Sequence, residues 1–189
     1  MKVFYLIIMI CFVLTDCSPS YATQLTSTVP PIKQGWIAFE GAGIRFIYPE
    51  TWSKEELSNT GPFIILKSNS HEVNMNITRS QIGDFRDSKT IEDVDKAMWN
   101  FHRGLYKATG NIDRVKIESH ETIKIGGQPA TKGIYTAPAI QNPSQIIHKM
   151  LVLVVNGTDV YQIVVNASSA SAMHIVEITE IIDSIQFLR

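Results

Sequence analysis

Hydrophobic and polar residues alternate over several short stretches in the first half of the chain. A period of two residues is typical of β-strands with one buried face. The stretches come in pairs separated by short polar or glycine-containing segments, as expected of antiparallel hairpins. The pairs are WIAFE (36–40) with GIRFIYP (43–49), and FIILKS (63–68) with EVNMNITRS (72–80). This half of the chain therefore predicts an antiparallel meander.

A tryptophan follows closely after the second of these strands. In that strand Ile44, Phe46 and Tyr48 fall on one face, and Pro49 ends it because proline has no amide hydrogen to donate. We expect Trp52 to fold back over this face and fill the core. The alternative is that Trp52 contacts a ligand.

The hydrophobic period changes over residues 90–107, TIEDVDKAMWNFHRGLYK, which predicts an amphipathic helix. Apolar residues recur there at intervals of three and four, a stripe that would pack on one side: Ile91, Val94, Met98, Phe101 and Leu105. Thr90 with Asp93 three residues later indicates a helix N-terminus.

The alternating pattern returns in the second half of the chain. It predicts strands at RVKIESHETIKI (114–125), PATKGIYTA (129–137), QIIHKMLVLVV (145–155) and DVYQIVVNA (159–167). Gly126-Gly127 and Asn156-Gly157 supply turns between them. Residues 150–155 are apolar at consecutive positions, which is typical of a central strand covered on both faces.

A final helix is predicted from the isoleucines of SAMHIVEITEIIDSIQFLR (171–189). They recur at intervals of three and four, followed by a short tail at Phe187 and Leu188: Ile175, Ile178, Ile182 and Ile185. With one helix on each face of the strands, the predicted fold class is α+β, a three-layer α/β/α sandwich around a mainly antiparallel sheet.

Three phrases of the sequence together resemble the PsbP-like superfamily, whose members include PsbP, a Ran-binding import factor and DcrB-like exported proteins. They are GIRFIYPETW (43–52), IKIGGQPATKGIYT (123–136), and DVYQIVVNAS (159–168) followed by a helix and SIQF (184–187). The resemblance is to the bacterial exported branch and extends over residues 36–189. It implies an α/β/α sandwich that acts as a binding or assembly factor. The matched positions are turn and core residues, so the resemblance lends no catalytic residue.

The N-terminal residues MKVFYLIIMICFVLTDCSPSYAT have the composition of a secretory signal. The apolar run from Val3 to Leu14 is too short for a membrane-spanning helix, which needs about 20 residues. We favour cleavage after Ala22, which predicts a signal peptide at 1–22, a flexible spacer at 23–35, a single domain at 36–189 and location in the bacterial periplasm. The alternative is a lipoprotein anchored through Cys17 of LTDC, although Asp16 stands where that motif has a small residue.

Two compositional features narrow the classes of function. Cys11 and Cys17 are the only cysteines, so cleavage after Ala22 would leave no thiol for catalysis, a disulfide or a zinc site. A net charge of −1 with scattered basic residues gives no electrostatic footprint for nucleic acid. Nucleic acid is therefore not an expected partner.

No catalytic, cofactor-binding or metal-binding residue is predicted. The sequence contains no G-x-S-x-G, H-E-x-x-H, P-loop or G-x-G-x-x-G motif. The five histidines, which would have to converge to bind a metal ion, are spread along the chain: His71, His102, His120, His148 and His174.

One constellation on the first predicted helix could contact a partner. Asp95, Trp99 and His102 are spaced by four and three residues, so they share a helix face. We expect this face to be solvent-exposed, with Trp99 as the candidate anchor for a partner protein. The alternative is that Trp99 lies at the rim of the core.

The leading hypothesis is an exported, non-enzymatic binding or assembly module for an envelope or protein partner, with no cofactor and no integral membrane anchor in the mature form. The second hypothesis is a divalent-metal-dependent or otherwise unrecognised envelope enzyme. Three or more histidine or carboxylate side chains meeting at one point would favour the second hypothesis.

Overall fold

A computed structural model describes residues 32–56, 63–68, 70–85 and 88–188. The predicted signal peptide, Cys17 and most of the spacer lie outside these residues, so the processing sites and domain boundaries stay predictions. The strands are β1 Trp36–Gly41, β2 Ile44–Pro49, β3 Ser53–Glu56, β4 Ile64–Ser68, β5 Val73–Gln81, β6 Lys116–Ile125, β7 Gln128–Pro138, β8 Ile146–Asn156, β9 Asp159–Ala167 and β10 Gln186–Phe187. The helices are α1 Ile91–Ala108, α2 Ala170–Met173 and α3 Val176–Asp183, with short 3-10 turns at Ile82–Asp84 and Ile112–Arg114.

The strands form two sheets. The large sheet has seven strands in the order β3-β4-β5-β9-β8-β7-β6, and every neighbouring pair in it is antiparallel. The small sheet has the order β1-β2-β10 and is also antiparallel. The predicted hairpins are therefore confirmed. The first pair, however, is not part of the large sheet and forms a separate sheet with β10.

One face of the large sheet is covered by α1 over β7 and β8. Val94 of α1 is fully buried there, in a cluster with Tyr135 of β7 and Leu153 of β8. The helix begins at Thr90, whose hydroxyl accepts the amide hydrogen of Asp93, while the Asp93 carboxylate accepts the amide hydrogen of Thr90. The predicted helix and its N-cap are thus confirmed.

The other face is covered by the small sheet together with α2 and α3. The predicted core face of β2 is buried there, and Trp52, with 4% of its surface exposed, fills the same cluster. Ile178 and Ile182 of α3 close it from the outside. Helices thus lie on both sides of a mainly antiparallel sheet, as predicted, and Trp52 is a core residue.

Two details at the end of the chain differ from the prediction. The helical stripe is interrupted because Ile175 has an extended backbone (ψ 142°) and serves as the N-cap of α3, and Ile185 follows the helix rather than belonging to it. Phe187 is not in a tail, because with Gln186 it forms β10, paired with Arg45 and Ile44 of β2.

The turn between β8 and β9 is shifted by one residue from the predicted Asn156-Gly157. Asn156 pairs with Asp159, so Gly157 and Thr158 form the turn. Gly157 has a φ of +63°, a conformation that glycine adopts without the steric cost of a side chain.

A close contact joins the two sheets at the turn between β1 and β2. The hydroxyl of Tyr161 in β9 donates to the carbonyl oxygen of Ala42 at 3.0 Å. Gly43 has a φ of +81°, and a Cβ there would lie 2.7 Å from the same hydroxyl oxygen. Only glycine fits this position.

Among the residues described, no helix combines the length and apolar character needed to cross a membrane.

Candidate functional site

Helix α1 turns a different face to the sheet from the one predicted. Asp95, Trp99 and His102, expected in solvent, are partly buried against β6 and β7, whereas Phe101, expected in the core, has 64% of its surface exposed. The buried face also includes Tyr106. Its centre is therefore rotated toward His102 and Tyr106, which places Trp99 at one rim of the core and Phe101 on the opposite flank of the helix.

Asp95 is held at the start of this face by two hydrogen bonds. The Thr131 hydroxyl in β7 donates to Asp95 Oδ1 at 2.8 Å, and His120 Nε2 in β6 lies 3.1 Å from the same oxygen. Thr131 is buried, with 4% of its surface exposed, so Asp95 satisfies a polar group that water does not reach. The carboxylate thus joins α1 to two strands.

Trp99 packs edge-on between three neighbours. Its ring centroid lies 5.9 Å from that of His120 and 5.1 Å from that of Tyr135, in T-shaped arrangements. Gly133 leaves room for the indole, because a Cβ at that position would lie 2.7 Å from Trp99 Cζ2. These contacts hold the indole in one orientation.

Polar groups meet in the interior next to Trp99. His102 Nε2 and the hydroxyls of Tyr106 and Tyr135 are buried, with no hydrogen-bond partner among the described residues. The ring of His102 lies 6.2 Å from that of Tyr135, and Lys149 Nζ lies 5.9 Å from the centroid of Tyr106. This set, His102, Tyr106, Tyr135 and Lys149, is called the interior polar cluster below.

Burial shifts the pKa of every member of the interior polar cluster in the direction that favours the uncharged side chain. It lowers the pKa of His102 to about 4, with a further contribution from the positive charge of Lys149. It also lowers the pKa of Lys149 and raises the pKa of both tyrosine hydroxyls. The histidine is consequently uncharged at neutral pH. His102 packs between α1 and the large sheet, and its Nε2 faces the interior.

A cleft of about 240 Å³ opens on the outer side of Trp99, between α1 and β6. It is lined by Trp99, Arg103, Ile117 and His120, and its walls are mostly apolar. Ile117 has 59% of its surface exposed although it lies in a strand. The set of these four residues is called the α1–β6 cleft below. It offers an apolar pocket beside the guanidinium group of Arg103, and such a pocket can accommodate an apolar side chain of another molecule.

A second, larger hollow of about 430 Å³ lies at one end of the large sheet. Its lining is mostly polar, with Ser70, His71 and Glu72 from the β4–β5 turn and Ser168, Ser169 and Ser171 from the start of α2. Glu72, expected at the start of a strand, thus lies in the turn together with His71. Both are exposed, and neither makes a side-chain hydrogen bond to another described residue.

The histidines do not come together. His120 contacts Asp95, whereas His148 lies 3.9 Å from Glu118 and His174 is exposed at the end of α2. Among the described residues, no three histidine, cysteine, aspartate or glutamate side chains converge on a point where a metal ion could bind.

Sequence reasoning missed the residues of the sheet that complete the site. Ile117 falls within the predicted strand 114–125, and Thr131 and Gly133 fall within the predicted strand 129–137, with no pattern that sets them apart. One signal was present, because a glycine in the middle of a strand often marks a close approach of another group. Gly133 is such a position.

The fold is an α+β sandwich with a mainly antiparallel central sheet, and the PsbP-like resemblance of the sequence is confirmed. A family model described as PsbP-like protein matches residues 18–187. The chain belongs to this PsbP-like family. No curated protein matches the sequence.

Solved structures share the fold at low sequence identity. Cyanobacterial PsbP (CyanoP) from Synechocystis sp. PCC 6803 is 14% identical, with a TM-score of 0.60 over 86% of this chain and 98% of CyanoP. The Ran-binding protein Mog1p of Saccharomyces cerevisiae is 11% identical, with a TM-score of 0.57 over 83% and 96% of the two chains. LpqN of Mycobacterium tuberculosis is 10% identical, with a TM-score of 0.52 over 82% and 91%.

Proposed function

We propose that this protein is an exported, non-enzymatic binding module that contacts a protein partner in the cell envelope through the α1–β6 cleft. The observation that carries the proposal is the exposed side chain of Ile117 beside the fixed indole of Trp99 and the guanidinium of Arg103. Aromatic and arginine side chains around an apolar seat are typical of the energetic centre of protein interfaces.

The rigidity of the cleft supports a role in recognition. Asp95 joins α1 to β6 and β7, and Gly133 admits the Trp99 ring, so the walls of the cleft are set by the fold. A preformed site binds without the entropy cost of ordering its own side chains.

Two further lines support binding and export. Mog1p is a Ran-binding protein, and LpqN is involved in cell envelope biogenesis, so the same fold serves binding and envelope proteins elsewhere. The N-terminal residues 1–22 have the composition of a secretory signal.

The proposal is tested by crosslinking in intact cells, followed by affinity purification of this protein and identification of what is attached. We expect one envelope protein to be captured by the wild type. Ile117→Ser should reduce its yield about tenfold or more, as loss of an interface hot spot does. Ile117 is exposed, so the variant should keep its stability.

Val176→Ser provides a matched control, because Val176 is equally exposed, at 63%, but lies on α3 on the other side of the molecule. This variant should capture the partner as the wild type does. A wild-type protein that captures nothing, or equal loss in both variants, would refute the proposed function.

A further inference from the structure

Strand β6 is the last strand of the large sheet, and one of its two edges pairs with no other described strand. Its residues are almost all exposed. A bulge between Ile117 and Ser119 interrupts the pairing with β7, but Ser119–Ile125 is in regular register with β7. Such an edge presents free amide and carbonyl groups in the spacing that another strand needs.

The α1–β6 cleft lies directly beside this edge. His120 lines the cleft and points to the α1 side of the sheet, where it meets Asp95. Side chains of a strand alternate between faces, so a peptide added to β6 would place every second side chain on the α1 side. One apolar side chain of such a peptide would meet the space between Trp99 and Ile117.

The charges around the cleft favour an acidic peptide. Arg103 in the cleft, Lys107 one turn further along α1, and Lys124 on the α1 side of β6 form no ion pair with any described residue. On the α1 side, Asp95 accepts from Thr131 and His120. On the opposite face of β6, Glu121 is 2.8 Å from Lys132 and Glu118 is 3.9 Å from His148. The local field is therefore positive beside an unpaired strand.

We propose that the α1–β6 cleft and the free edge of β6 together bind an extended peptide segment of a partner protein, in which acidic and apolar residues alternate. The segment pairs with Ser119–Ile125 as an eighth strand, seats an apolar side chain between Trp99 and Ile117, and places a carboxylate against Arg103. This inference rests on the proposed function and specifies the partner's chemistry. The free backbone groups favour a polypeptide over an anionic membrane surface, which could use only the cations.

The test begins with random 12-residue peptides displayed on phage and selected on the purified protein. We expect the selected peptides to alternate acidic and apolar residues. Hydrogen exchange of the wild-type protein with a synthetic copy of the best peptide should show slowed exchange for roughly half of the amides in Ser119–Ile125, because alternate amides of an edge strand point outward. This measurement needs no variant.

Charge reversal then tests the contact with the carboxylate. Arg103→Glu should weaken peptide binding at least tenfold. Lys89→Glu makes the same change at an exposed residue before α1 and should change binding less than twofold. Arg103 and Lys89 are both exposed, so both variants should fold.

Three outcomes would overturn the inference: no peptide is selected; selected peptides bind but leave exchange in β6 unchanged; or the protein sediments with phosphatidylglycerol vesicles and shows no peptide-dependent protection. If the cell crosslinking still captures a partner that Ile117→Ser loses, the proposed function stands and only the added strand fails. If the crosslinking captures nothing, the proposed function fails whatever the peptides show.

Discussion

The indole of Trp99 occupies the space that a side chain at position 133 would need, since a Cβ on Gly133 would lie 2.7 Å from Trp99 Cζ2. Gly133→Ala must therefore displace the indole or the strand, and we expect it to lower the free energy of unfolding by about 1–3 kcal/mol. Urea denaturation measures the loss. Gly104→Ala is the control, because Gly104 is in α1 and no atom outside its own helical backbone lies within 4 Å of its Cβ position. This variant should be as stable or up to about 1 kcal/mol more stable.

Trp52 is nearly fully buried in the core between the large sheet and the small sheet. Truncation to alanine removes a large apolar surface and leaves a cavity, so Trp52→Ala should lower the free energy of unfolding by about 3–5 kcal/mol. The measurement is a denaturant titration. Trp36→Ala should cost clearly less, since Trp36 is only partly buried. A loss below about 1 kcal/mol at position 52 would mean that the side chain is exposed in solution.

The bond between Thr131 and Asp95 crosses from the sheet to α1 inside the protein. Asp95→Ala leaves the buried Thr131 hydroxyl without its acceptor, and we expect a loss of about 1–3 kcal/mol in the free energy of unfolding. Asn100→Ala, on the exposed side of the same helix, should change it by no more than about 0.5 kcal/mol. Equal effects in urea denaturation would show that the hydrogen bond does not support the helix.

Stability should fall on acidification because of His102. Burial lowers its pKa from the ordinary value of 6.5 to about 4, so between these pH values the unfolded chain binds a proton that the folded chain does not. His102 therefore leaves the free energy of unfolding unchanged above pH 6.5 and lowers it by about 2–3 kcal/mol as the pH falls from 6.5 to 4.

Urea denaturation at several pH values tests this effect by comparing two variants with the wild type. His102→Gln should show a smaller decline between pH 7 and 4, because no imidazole remains to be protonated. His174→Gln changes an exposed histidine and should decline as the wild type does. Parallel profiles for all three proteins would contradict a buried neutral His102.

The mature N-terminus distinguishes the two forms of export. We expect mass spectrometry of the protein from its native host to show an unmodified chain beginning at Thr23. A diacylated or triacylated Cys17 would show that the protein is a lipoprotein and that the prediction of a free periplasmic protein is wrong. The proposed binding role does not depend on which of the two is found.

Features encoded by neighbouring residues could be predicted from the sequence. The alternation around Gly126-Gly127 predicts the β6–β7 hairpin, and Thr90 with Asp93 predicts the start of α1, because the interactions involved are only a few residues apart. The core role of Trp52 follows similarly from the pattern of the strand before it.

Features that depend on distant residues could not be predicted in the same way. The stripe of α1 has apolar residues on both flanks. The flank that is buried carries Asp95, which accepts a hydrogen bond from Thr131, and Trp99, for which Gly133 leaves room. The small sheet depends on the pairing of Phe187 with Ile44, and no local pattern indicates it. The candidate site depends on the first of these long-range contacts, between α1 and β7, so it could not be predicted from a local pattern.

The pairing of β10 with β2 constrains the order in which the strands of the small sheet can pair while the chain is being synthesised. Ile44 leaves the ribosome long before Phe187, so β2 gains this neighbour, and Ile185 enters the core, only after the whole segment between them has been made. Contacts between such distant segments form late because the intervening chain must first be closed into a loop. Until residues 185–187 are available, the small sheet and the core beneath it therefore stay incomplete.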